Sequence, residues 1–126
     1  MYKILALSRD QSHHYSFLKE EKSFEVIETD IYNPKVIQKI KPDILITLAC
    51  DYYQVENCIQ YSKANSIPTL YIMDGMIDWL HRWENPKFGS GGGIPYQQII
   101  NIDKIACIGW ESARTLESWG NIGKCE

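Results

Sequence analysis

Five short apolar runs recur along the chain: Lys3–Leu7 (KILAL), Phe24–Thr29 (FEVIET), Asp43–Ala49 (DILITLA), Thr69–Met73 (TLYIM) and Asp103–Gly109 (DKIACIG). They read as continuous runs rather than as strict apolar–polar alternation. That is the pattern of strands buried on both faces, which belong to parallel sheets covered by helices. The segments between the runs carry helix signals. Ser12 can cap a short helix with Phe17 and Leu18 on one face. Asn33-Pro34 reads as an N-cap followed by the first helical residue, with Val36, Ile37 and Ile40 as the apolar side and Pro42 as the stop. Asp51 can cap a helix in which Val55, Cys58, Ile59 and Ser62 recur at helical spacing, closed by Asn65–Pro68. A last helix is predicted from Ser112 as N-cap to Gly120 as C-terminal stop. Strand and helix thus alternate five times. The expected fold class is α/β: a Rossmann-like three-layer αβα arrangement with a mainly parallel sheet of five or more strands.

The 126 residues suit one domain, spanning 1–126, and can bury a core without disulfides or metal. Hydrophobic residues make up 44% and charged residues 23%, a globular balance that argues against disorder. The net charge of -3 and the lack of a Lys/Arg run argue against nucleic acid as a partner. No apolar stretch reaches the ~18 residues needed to span a bilayer, and the first ten residues turn polar too soon for a signal peptide. The expected location is the cytoplasm. The four cysteines, Cys50, Cys58, Cys107 and Cys125, lack C-x-x-C spacing and have no adjacent His, so they read as free thiols rather than a zinc site. Cys58 and Cys107 are the expected core members.

In an open parallel sheet, ligands bind outside the carboxyl ends of the strands. That edge would gather Ser8–His14, Cys50–Tyr53, Asp74–Trp83 and Gly109–Ser112. His13 and His14 can act as a general base or hold a phosphate, since imidazole titrates near neutrality; a surface or capping role is the bland alternative. Asp74 can accept from a hydroxyl or cap the next helix, and Gly75 allows a close backbone approach. Trp79 and Trp83 lie four apart and share a face on a helix. Aromatic faces of this kind stack on sugar rings, and Arg82 beside them can pair with a carboxylate or phosphate; the bland alternative is core packing and an interdomain surface. The run Gly89–Gly93 (GSGGG) reads as a loose loop or as a hinged flap over a ligand. There is no G-x-G-x-x-G after the first strand and no P-loop motif. The acidic pair, Ser/Thr and Lys of a phosphoacceptor receiver domain are also missing from the strand ends.

The segments TLYIMDGMIDWLHRWENP and IINIDKIACIGWESARTLESWGNIGKCE resemble the N-terminal half of a GT-B glycosyltransferase. The resemblance is to the branch of capsule and teichoic-acid-type polymerases and related surface-carbohydrate proteins. It rests on the Asp74-Gly75 turn, on a D-K-x-x-x-x-G strand (Asp103, Lys104, Gly109) and on an S-x-x-x-L-x-x-x-G helix (Ser112, Leu116, Gly120). It covers roughly half the chain.

The resemblance implies an acceptor-binding domain of an enzyme that transfers a sugar, or glycerol phosphate, from a nucleotide-activated donor. The donor would be held by a separate C-terminal domain and the carbohydrate acceptor by this one. The catalytic base would be His13, His14 or Asp74, and the substrate-binding residues Gly75, Trp79, Arg82, Trp83 and Ser112. No metal or other cofactor is expected. Peripheral membrane association of the full-length protein is compatible with the family. The chain departs from the pattern in having no glycine in its first loop, and Asp rather than His before Gly75. The close of the sequence, NIGKCE, stops where a further strand is due, so the chain reads as a fragment or half of a longer protein with nothing to close Lys124–Glu126. Such a half would be catalytically silent alone. Two rival readings remain: a sugar-nucleotide 2-epimerase-like half, and a stand-alone binding or interaction module whose exposed cleft face is covered by homodimerisation.

Overall fold

The computed structural model describes residues 1–7, 15–48, 53–72, 101–107 and 109–126. Five strands form one sheet: β1 (Tyr2–Leu7), β2 (Phe24–Thr29), β3 (Ile44–Thr47), β4 (Thr69–Ile72) and β5 (Lys104–Ala106). Their order is β2-β1-β3-β4-β5 and every pairing is parallel. The helices are α1 (Pro34–Ile40), α2 (Tyr53–Ala64) and α3 (Trp110–Ser118), with a short 3-10 turn at Ser16–Glu20. This is a Rossmann-like α/β fold, in one of the two common doubly wound strand orders. Among the described residues no helix is long and apolar enough to cross a membrane.

The strands are apolar on both faces because both faces are covered. Leu5 and Leu7 of β1, Leu45 of β3 and Ile105 of β5 enter one cluster with Ile37 of α1, Val55, Cys58 and Ile59 of α2, and Leu116 of α3. The alternate residues Ile4, Ala6 and Ile46 enter a second cluster with Tyr15, against which Leu18 of the 3-10 turn packs. Three helices therefore lie on one face, and the described cover of the other is Tyr15 and its turn. Burying each large aliphatic side chain fully contributes roughly 1.5–3 kcal/mol, so β1 and β3 hold much of the core. At the edge, β2 keeps Glu25 and Glu28 exposed, which discourages pairing with another chain. Lys19 of the 3-10 turn forms an ion pair with Glu28.

Local chemistry explains the helix limits. The Asn33 side chain accepts the Lys35 N–H at 2.9 Å, and Pro34 occupies the first helical position, as the sequence predicts. Pro42 bars helical backbone at Lys41, which instead takes a left-handed conformation at φ 54°. The apolar stripe of α2 is also as expected: Val55, Cys58, Ile59 and Ser62 are all buried. Ser62 is tolerated there because its hydroxyl donates to the Cys58 carbonyl at 2.9 Å.

At its far end, α3 closes in a Schellman arrangement. The Gly120 N–H donates to Glu117 O at 3.0 Å, and the Asn121 N–H donates to Leu116 O at 3.0 Å. Gly120 has φ 110°, the backbone that its place requires.

Two expectations are corrected. The N-cap of α3 is Gly109, not Ser112, because the Gly109 carbonyl already accepts the Ala113 N–H at 3.2 Å. Residues 124–126 are not left open. The Ile105 N–H donates to Lys124 O at 2.7 Å, and the Glu126 N–H donates to Ile105 O at 2.9 Å, so this segment pairs in parallel on the outer side of β5. Cys107, expected in the core with Cys58, is only partly buried.

At the amino edge of the sheet two aspartates repeat one device. Asp43, one residue before β3, accepts the Lys3 N–H on a carboxylate oxygen at 2.7 Å, while its own N–H donates to Lys3 O at 2.7 Å. Asp103, one residue before β5, accepts the Thr69 N–H at 2.9 Å and the Thr69 hydroxyl at 3.0 Å. Its own N–H donates to that hydroxyl at 3.0 Å. Each carboxylate extends a ladder by one rung and fixes its register.

Two stability changes should follow in urea denaturation. Asp103→Ala strands the buried Thr69 N–H and should cost about 1–3 kcal/mol, with Asp103→Asn costing less. Lys41→Gly should raise stability by about 0.5–1 kcal/mol, because it removes a left-handed penalty of ~1–2 kcal/mol at the entropic cost of a glycine.

Candidate functional site

The strand order sets where a ligand can sit. The chain leaves β1 toward β2 on one side of the sheet, then crosses back to β3 on the other. The connections after β1 and β3 therefore run to opposite faces, and in open sheets such a divergence at the carboxyl ends, here beyond Leu7 and Thr47, is where ligands bind. In register, Thr29, Leu7, Thr47, Tyr71 and Ile105 form one row across all five strands. Leu7, Tyr71 and Ile105 of that row belong to or pack against the helix-side cluster.

Of the predicted site residues, Ser112 alone is described. It is half-buried in the first turn of α3, which follows the carboxyl end of β5. His13, His14, Asp74, Gly75, Trp79, Arg82 and Trp83 lie outside the described residues, as do Cys50, Asp51 and the Gly89–Gly93 run. Their places in the chain are still informative. The His pair falls between β1 and β2, and the Asp-Gly and Trp-rich segment directly follows β4. Ser112, as the third residue of α3, offers a hydroxyl in the turn where the helix's unpaired N–H groups gather. Gly109 supplies no side-chain cap for them.

Two polar features at this edge escaped the sequence reading. Thr47 closes β3 with 1% exposure, so a hydroxyl is buried at the divergence point. Its signal is the one hydroxyl within the apolar run ILITLA. Trp110 opens α3 with 68% exposure, and the Arg114 guanidinium lies 5.1 Å from its ring centre. Their four-residue spacing was legible as a helical pair. Together they present a flat aromatic surface with a fixed positive charge beside it, suited to a planar or anionic group.

Among the described residues no three His, Cys, Asp or Glu side chains come together. Cys58 is chemically quiet: burial pushes its thiol up to about 11, and its side chain sits in the core. No protein-family model, curated protein sequence or solved structure matches the chain.

The buried Cys58 thiol makes a pH prediction. Its folded pKa is raised from the ordinary 9.0, so its contribution to stability is fully present below pH 9.0 and lost as pH rises through about 11. The urea midpoint should fall across that window. Cys58→Ala, less stable at neutral pH, should show a shallower fall.

Proposed function

We propose that this chain is a ligand-binding α/β domain whose site is the carboxyl edge of its sheet, and that it serves as the acceptor side of a sugar transferase. The observation that carries the reading is the strand order, with its divergence between β1 and β3. Every residue singled out on chemical grounds follows a strand at that edge. His13 and His14 come after β1, Asp74 to Trp83 after β4, and Ser112 after β5. At the opposite edge the Asp43 and Asp103 carboxylates each accept a backbone N–H of the neighbouring strand.

In this reading Trp79 and Trp83 stack on the acceptor's sugar rings, and Arg82 and Ser112 hold its polar groups. His13, His14 or Asp74 takes the proton from the attacking hydroxyl. A base so placed raises the nucleophilicity of an otherwise neutral hydroxyl. The nucleotide-activated donor is held by a separate domain, and closure of the cleft removes water from the contacts.

The test is a thermal-shift titration of this chain, and of the longest natural form of the protein, against an oligosaccharide acceptor, nucleoside diphosphates and nucleotide-sugars. The expected outcome is stabilisation of this chain by oligosaccharide alone, and of the longer form by both classes. Arg82→Ala should weaken oligosaccharide binding by about 1.5–3 kcal/mol, on the order of ten- to a hundredfold. Binding of a nucleoside diphosphate by this chain alone would instead favour a self-sufficient nucleotide-binding module.

A further inference from the structure

The two margins of the sheet are protected differently. β2 carries exposed Glu25 and Glu28, charges that discourage another strand from pairing. β5, at the far margin, has no charge after Lys104: Ile105, Ala106 and the following Cys107 are all uncharged. An uncharged edge with unpaired backbone groups is a template for strand addition. Here residues 124–126 of the same chain take that template. The Ile105 N–H donates to Lys124 O, the Glu126 N–H to Ile105 O, and the Cys107 N–H to Glu126 O at 3.2 Å. Lys104 holds the segment from the side, its ammonium donating to Gly123 O at 3.0 Å and to a Glu126 carboxylate oxygen at 3.4 Å.

The path into this segment is anchored just before it. Asn121 is fully buried, and its side-chain amide donates to Leu116 O at 2.9 Å. Gly123 then turns the chain with left-handed backbone at φ 76°. The segment itself is Lys-Cys-Glu, with no large apolar side chain to fix it.

We propose that residues 124–126 are a guard strand, and that β5 beneath them is an interaction edge whose competing occupant is β5 of a second copy of this chain. Ile105 and Cys107 both direct backbone groups toward the margin, since both pair with the guard. Two such edges related by a two-fold axis run antiparallel, with Ile105 of each copy opposite Cys107 of the other, and exchange closely spaced pairs of hydrogen bonds. The two Lys104 side chains then lie at opposite ends of the pair. Pairing of β5 with β2 of another copy would instead bring Glu25 and Glu28 to the junction and leave further edges open. With the guard seated the chain is monomeric, and with the guard released two sheets join through β5.

The experiment loosens the guard in the full chain. Glu126→Pro removes the donor to Ile105 O, and Lys104→Ala removes the lateral ammonium. Sedimentation equilibrium in reducing buffer reads association, and amide hydrogen exchange at Ile105 and Cys107 reads the edge. The natural chain should be monomeric with both amides protected. The double variant should associate about tenfold more strongly. Its two amides should be open when dilute and regain protection as concentration rises, while amides of β1 and β3 stay protected throughout. Glu126→Pro alone, at an exposed position outside the core, should shift in the same direction by less. Glu126→Ala, which keeps the N–H, should stay monomeric. The proposal is overturned if the loosened variants remain monomeric with the two amides open, if they associate while those amides stay open, if the amides stay protected in the monomeric variants, or if the natural chain associates as strongly.

Discussion

A parallel sheet has no face it can show to water, and that constraint organises this protein. β1 sits between β2 and β3, with four successive residues, Ile4 to Leu7, at 3% exposure or less. Neither face of such a strand can be solvated. Each connection must therefore carry apolar cover back over the sheet, and the handedness of the crossovers decides which face it reaches. The leftward step from β1 to β2 carries Tyr15 and the 3-10 turn to one face. The helices α1, α2 and α3 lie over the other. The divergence of the connections at the carboxyl ends of β1 and β3 follows from this reversal of direction.

Much of the fold was legible in the residues, for reasons that differ between elements. The run at Phe24–Thr29 gave its strand to the residue, because polar segments bound it on both sides. Asn33-Pro34 located the start of α1 because a cap and a fixed φ are local effects that need no tertiary information. Longer apolar runs over-predicted their strands. Asp43–Ala49 yields only Ile44–Thr47, since apolarity marks burial and the ladder ends before burial does: Leu48 is buried beyond the last rung. The start of α3 was misplaced because a hydroxyl is a strong cap signal, whereas Gly109 caps by backbone conformation alone. The pairing of residues 124–126 with β5 was invisible, because a three-residue segment carries no periodicity.

The candidate site was legible only as a position. In chain order the His pair follows β1 and the Trp-rich stretch follows β4, and the strand order is the reason that the carboxyl ends are the edge to consider. What the sequence missed there were residues with a double character. Thr47 reads as a β-branched strand former, and Trp110 reads as an apolar helix residue. Their significance comes from where the strand ends and the helix begins. The two aspartates at the opposite edge show the same ambiguity in reverse: carboxylates that look available in sequence are committed to the backbone of neighbouring strands.

The strand order has a bearing on how the chain assembles as it is made. β1 and β2 come first along the chain. β3 then docks on the free side of β1, opposite β2, and the later strands follow outward, β4 beside β3 and β5 beside β4. No strand has to be inserted between two that have already paired. The sheet can thus grow on one advancing front in the order of synthesis, with β2 as its fixed margin. The loop-closure entropy of each long-range pairing is then met one step at a time as the chain leaves the ribosome.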